Sequence, residues 1–207
     1  MSKKKNKDTG ESVAEALLEA DAAAVEAVEP YRKTRGVKAL AWLSELGDQP
    51  QMRVLCGAVI AAGLAGPSKR MTRAGIRMLA AHTLATTAKN LIKERIDRTR
   101  PRSRVGEHGH RIKAGRSDTK EETSFPSGHS AGAAAVARAY AREFPGHKAA
   151  AFAGAGAIAL AQVPRCAHYP TDVGAGLALG LVAEALLDPL LEPLFDALQL
   201  SGDDPDE

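Results

Sequence analysis

The sequence predicts an all-α fold, a helical bundle of about five core helices, and three observations predict it. Apolar residues gather in five runs between Val54 and Leu187, without the β-branched alternation of strands. Alanine and glycine are abundant while aromatics make up only 4% of the chain, a composition suited to helices packed closely through small residues. Prolines stand at the edges of the apolar runs, where helices stop.

The elements follow in order. Residues 1–11 read as a disordered tail. Residues 12–29 form a short amphipathic helix with Val13, Leu17, Ala24 and Val28 on one stripe, ended by Pro30. Lys38 to Leu46, carrying Trp42, is a second short helix, with Trp42 and Tyr31 expected to fill local packing. The core helices are then Val54–Gly66, Met78–Ala88 with a polar continuation towards Arg100, Ser130 to about Glu143, Ala149–Pro164, and Val173–Leu187. At 207 residues this divides into a polar N-terminal tail (1–50), a bundle (51–195) and an acidic C-terminal tail (196–207).

None of these runs reaches the roughly 18–20 apolar residues needed to cross a bilayer unaided, and the mean hydropathy is −0.21. Hydropathy alone leaves a soluble bundle open, although the small-residue texture suits close packing in lipid as well. The basic N-terminus lacks an apolar core, so no cleaved secretory signal is expected. Cys56 and Cys166 are far apart and belong to no Cys/His cluster, which implies reduced thiols, no disulfide framework and no zinc site.

The formal net charge of +3 is too mild to indicate nucleic acid, but its distribution matters. Lys89 to Arg116 holds ten Lys or Arg against three acids, either a solvated surface or the footprint of an anionic substrate. Arg98, Arg102 and Arg104 in this block are read as helping to draw an anion in, outside the chemistry. His82 is read as a core histidine; His108, His110 and His147 are read as solvated.

Three stretches interrupt apolar helices with polar residues. In Lys93-Glu-Arg-Ile-Asp-Arg-Thr-Arg100-Pro101, seven residues span almost two helical turns, which puts Lys93 and Arg100 on one face. Pro101 ends the helix there, leaving two cations suited to gripping a phosphate. In Ser124-Phe-Pro126-Ser127-Gly128-His129-Ser130, Gly128 lets backbone approach a ligand at a helix N-terminus, and His129 can exchange a proton. Ser127 and Ser130 are also natural helix caps. In Arg165-Cys-Ala-His168-Tyr-Pro170-Thr-Asp172, the four-residue spacing allows Asp172 to fix the tautomer of His168.

These three motifs, in this order between helices, resemble the type 2 phosphatidate phosphatase superfamily, which includes lipid phosphate phosphatases, soluble acid phosphatases and vanadium haloperoxidases. The resemblance covers about residues 50–190. It implies a phosphatase whose site opens where helix ends converge, acting on a lipid phosphate such as phosphatidate or an isoprenoid phosphate or diphosphate. His168 would attack phosphorus and form a phosphohistidine, Asp172 would orient it, and His129 would serve the leaving oxygen. Lys93, Arg100, Ser127 and Gly128 would hold the phosphoryl oxygens, with no metal or other cofactor. It further implies an integral membrane protein, of bacterial inner-membrane type. A soluble acid phosphatase, a vanadium haloperoxidase-like enzyme and a degenerate, non-catalytic phospholipid-binding protein are the competing readings.

One departure stands out. The family's third motif carries Ser-Arg, the arginine six residues before the histidine, where this chain has Ala161 and Gln162. Arg165 is expected to substitute, so that Arg165→Ala abolishes turnover.

Overall fold

The computed structural model describes residues 2–103, 112–117 and 119–201, with side chains from residue 13 onward. Arg104, His108, His110 and the last six residues of the expected acidic tail lie outside the described residues.

The elements are α1 (Ser2–Val28), α2 (Arg35–Ser44), α3 (Gln49–Ala65), α4 (Lys69–Lys93), β1 (Ile96–Arg98), β2 (Ile112–Ala114), α5 (Gly128–Glu143), α6 (Lys148–Leu160) and α7 (Pro170–Ala197). Five helices, α3 to α7, make the bundle, with α5 at its centre and packed against the other four. The sequence of α5, GHSAGAAAVARAYARE, explains that position, because its small side chains let other backbones come close. The approach of α7 is the tightest. A Cβ added to Gly180 would lie 2.2 Å from the Ala131 carbonyl oxygen, and one on Gly176 2.4 Å from that of Ser127.

The far end of the bundle is locked by charge. Arg77 of α4 is fully buried and bonds Glu143 of α5 at 2.9 Å, and Asp188 and Glu192 of α7 at 2.9 and 2.5 Å. Glu184 of α7 is buried beside Arg77 and is also held by Arg138. Each acid of α7 in this region therefore has a cation, which lets the helix carry them inside an apolar body.

The structure departs from the sequence reading in four places. The helix expected to run to Arg100 stops at Lys93. The chain then enters a two-stranded antiparallel ladder, Ile96 opposite Ala114. Backbone bonds from Arg98 N to Glu122 O (2.6 Å) and Arg100 N to Glu121 O (2.7 Å) replace the helical ones. Second, α7 continues past Leu187, through Pro189 and Pro193, for 28 residues. Among the described residues it is the one helix long and apolar enough to cross a membrane, where none was expected.

Third, helix α1 begins at Ser2, where a tail was expected. The division expected at residue 50 falls inside α3, and the 1–50 segment, expected to be polar with short amphipathic helices, also packs on the bundle. Its Asp21 and Val25 are buried against the bundle, at 2% and 3% exposure. Fourth, Trp42 and Tyr31 do not fill local packing: Trp42 is 77% exposed and Tyr31 62%.

Candidate active site

Three chain junctions meet at one end of the bundle. Lys93 is the last residue of α4, Gly128 the first of α5, and His168 stands two residues before α7. They line a common cavity of about 180 Å³ together with Lys89, Arg100, Lys120, His129 and the turn Gly47-Asp48-Gln49 that leads into α3. Side chains separated by up to 120 positions thus share one small cationic cup.

Arg100 is placed by the backbone around it. Its guanidinium donates to the carbonyls of Lys120 (2.6 Å), Ala167 (3.0 Å) and Thr123 (3.3 Å), and its Nη1 lies 3.3 Å from His168 Nε2. Burial pulls its pKa down to about 10, which leaves it charged at neutral pH. Lys93 reaches the same region from the helix end and donates to the Thr123 carbonyl. The two cations converge even though they do not share a helix face, because the 120–124 segment runs alongside 98–100 and ties both down.

His168 is 2% exposed. It is delivered by a tight turn in which Cys166 takes φ +53°, a left-handed conformation that costs a non-glycine residue roughly 1–2 kcal/mol. The turn is held by bonds from the Ala167 and His168 amides to Gln162 O and from Arg102 N to Cys166 O. Asp172 Oδ2 stands 3.6 Å from His168 Nδ1, in register to orient the ring. Burial, helped by the cations of Arg100 and Lys93, pushes the His168 pKa down to about 4 against the pull of Asp172. The imidazole is therefore neutral at neutral pH, with Nε2 turned towards Arg100.

Asp172 is itself fully buried and caps α7 by accepting from Tyr169 N at 2.9 Å. It also accepts from Ser124 Oγ and, at 2.5 Å, from Arg98. Arg98 is not a surface cation drawing anions in. It is 2% exposed, lies over the Tyr169 ring at 4.3 Å, and bridges Asp172 to Asp21 of α1 at 2.6 Å. Asp21 also accepts from the Thr171 amide at 3.0 Å and from the Thr171 hydroxyl.

His129, in the first turn of α5, pairs through Nε2 with Asp48 Oδ1 at 2.8 Å. Ser127 is the N-cap of α5, its hydroxyl accepting from Ser130 N at 3.4 Å and Ser130 Oγ at 2.9 Å. It lies behind the cavity wall, whereas Gly128 lines it. Arg165 does not fill the place left by Gln162. Its guanidinium is taken by Ser44 Oγ and, at 2.8 Å, by Glu45 Oε1, outside the cavity lining. The Gln162 side chain turns back to its own helix and donates to Ile158 O at 2.9 Å.

Sequence reasoning missed Lys89, Asp48 and Asp21. Lys89 was findable, since it precedes Lys93 by four residues and so shares its helix face. No local spacing ties Asp48 to His129 or Asp21 to Arg98.

The PAP2 superfamily model matches residues 74–189, more than half of the chain, and the protein belongs to that superfamily. Among curated proteins, a lipid A 1-phosphatase of Rhizobium johnstonii is 41% identical over 91 residues, covering 44% of this chain and 37% of that protein. The lipid A 1-phosphatase of Rhizobium etli is 40% identical over 91 residues, covering 44% and 39%. The matched stretch thus spans well under half of the length of these relatives. Among solved structures, a transmembrane PAP2-type phosphatidylglycerolphosphate phosphatase from Bacillus subtilis superposes with a TM-score of 0.62 at 23% identity, over 86% of this chain and 87% of that one. Aquifex aeolicus LpxE gives 0.55 at 19% identity, over 78% and 90%. At such identities the likeness concerns the fold.

Proposed function

We propose that this protein hydrolyses a lipid phosphate at a membrane surface through a phosphohistidine on His168, with its charge stabilisation supplied by lysine and arginine rather than by a metal. The observation that carries the reading is the buried His168 imidazole, with Asp172 3.6 Å from Nδ1 and with Nε2 presented to a cup that holds Lys89, Lys93 and Arg100.

The steps follow from that placement. Nε2 attacks phosphorus, the P–O bond to the lipid breaks, and His129 gives a proton to the departing alkoxide. Burial lowers the His129 pKa below the ordinary histidine value, and Asp48 on Nε2 works against this by favouring the protonated ring that has a proton to give; Asp48 yields that nitrogen to the ester oxygen as substrate enters. Water then attacks the phosphohistidine, with His129 taking its proton, and phosphate leaves. Arg100, the Gly128 amide and Lys93 hold the equatorial oxygens as negative charge redistributes; burial and the neighbouring Arg100 and Lys89 pull the Lys93 pKa down to about 7, and an entering phosphate favours its charged form.

The lipid setting rests on the bundle's outer surface. Val54, Leu64, Leu160, Val182, Leu186 and Leu190 on α3, α6 and α7 are all more than half exposed, large apolar side chains that acyl chains cover better than water. Trp42, exposed on α2 just before the cavity turn, suits the interface between headgroup and hydrocarbon. An apolar cavity of about 300 Å³ between α3, α5 and α6 has room for part of a chain. Its residue Ile158 flanks Gly47, which also touches His129, so the apolar space adjoins the cup.

The test is phosphate release in detergent, with EDTA present, from phosphatidate, isoprenoid phosphate and diphosphate, and the 1-phosphate of lipid A named by the curated relatives. Wild type should release phosphate from at least one, His168→Ala from none, and acid-labile phosphate should be trapped on the wild-type protein alone. Turnover that survives His168→Ala would refute the mechanism, and lipid binding without release would make this a binding protein.

A further inference from the structure

We infer that Lys89 is a phosphate-binding residue which supplies the positive charge that the third motif lacks at Gln162. The inference rests on the phosphatase reading of the His168 site and deepens it.

The vacancy comes first. A phosphoryl group in transfer carries charge on three equatorial oxygens, and each cation aimed at them lowers the barrier. Gln162, where the resemblance leads one to expect an arginine, is uncharged and folded back onto the Ile158 carbonyl, so it brings no cation to the cup. Arg165, the nearest arginine in sequence, is engaged by Ser44 and Glu45 and does not line the cavity.

Lys89 stands where Arg165 does not. It is 8% exposed and lines the cavity together with Lys93, Arg100, Gly128 and His168. Four residues before Lys93 on α4, it comes from the same helix face one turn deeper. Its stem packs on Gly128, where an added Cβ would meet the Lys89 Cδ at 3.1 Å and Nζ at 3.7 Å. The ammonium is thereby set beside the N-terminus of the 16-residue helix α5, whose unpaired amides also favour an anion.

No carboxylate, carbonyl or hydroxyl among the described residues holds this ammonium. Every other buried cation described above has a partner: Arg77 and Arg98 have carboxylates, Arg100 and Lys93 have carbonyls. The Lys89 side chain is largely buried and lines the cavity, so an anion that enters there gives the ammonium the partner that the protein does not. A lysine kept only for its aliphatic stem would be served as well by methionine.

The experiment compares Lys89→Met, Lys89→Arg and Arg165→Ala with wild type, in detergent, using dioctanoyl phosphatidate for turnover and orthophosphate for binding by calorimetry. Loss of one charged oxyanion donor predicts a fall in kcat/KM of about 10²–10³-fold for Lys89→Met. Orthophosphate affinity should weaken about tenfold or more, Lys89→Arg should recover much of both losses, and Arg165→Ala should stay within about threefold of wild type in turnover. Because the substitution keeps the aliphatic stem and breaks no bond within the protein, Lys89→Met should melt close to the wild-type temperature. The inference is overturned if Lys89→Met keeps wild-type turnover and orthophosphate affinity, if its losses track a lowered melting temperature, or if Arg165→Ala is the more damaging change. Should wild type release no phosphate from any lipid, the phosphatase reading falls, while weakened orthophosphate binding by Lys89→Met would still support the site.

Discussion

Arg98→Met isolates the support behind His168, the proposed nucleophile. The guanidinium is buried between two buried carboxylates, 2.6 Å from Asp21 and 2.5 Å from Asp172, and also donates to Thr171 Oγ1 at 2.7 Å. Removing it leaves two carboxylates in a dry pocket without their shared cation. Breaking a buried pair of this kind costs about 3–5 kcal/mol, a large share of the roughly 5–15 kcal/mol that holds a domain together. Loss of the contact with the Tyr169 ring adds about 1 kcal/mol. The assay is denaturant unfolding in mild detergent, paired with phosphate release normalised to the folded fraction. Asp21→Asn in the Arg98→Met background removes one of the stranded charges, so the double variant should be more stable than Arg98→Met alone, with a coupling of about 1–3 kcal/mol. With Asp172 less firmly held, turnover of the folded fraction should drop by about 10–100-fold. An Arg98→Met protein as stable and as active as wild type, with no coupling to Asp21, would refute the argument that α1 braces the site.

Three further outcomes follow from the same geometry. Because burial and neighbouring cations lower the His168 pKa to about 4, its attacking form persists through the neutral range, so kcat/KM should fall only as pH drops through about 4; an acid limb near the ordinary histidine value of about 6.5 would contradict this. His129→Gln should slow the first-turnover release of an alkyl leaving group by about 10²–10⁴-fold yet leave the first-turnover burst of p-nitrophenolate nearly unaffected, since a phenolate that departs unaided needs no proton; equal losses in the two first-turnover rates would remove the acid role. Gly176→Ala puts a Cβ 2.4 Å from the Ser127 carbonyl oxygen, and overpacking of this sort costs about 1–3 kcal/mol, visible as a lower melting temperature; an unchanged melt would show that α5 and α7 are not held this close.

Much of the fold was legible in the chain because helices declare themselves locally. The apolar runs located α3 to α7, Pro67 marked the end of α3 to within two residues, and Pro170 opened α7. Glycine and alanine in α5 and α7 announced close packing. The stop of α4 at Lys93 was harder, because helix and strand compete over Glu94–Arg100. What settled it was the pairing of that stretch with 112–114 and 121–124, segments whose partnership no periodicity reveals. The length of α7 was underestimated because Glu184 and Asp188 look like interruptions until Arg77 is seen beside them.

The sequence by itself determined the helical class, the order of the three motifs, and which residues could meet a phosphate, since residue type and short-range spacing carry that information. Only the tertiary structure decided that His168 and His129 share a cup, that Asp48 and Asp21 serve those groups from the N-terminal region, and that Lys89 rather than Arg165 stands at the cavity. The reason is that a helix fixes the direction of a side chain within a few residues. Distances across fifty or more positions depend on how closely α4, α7 and the α3 turn seat on the small-residue surface of α5.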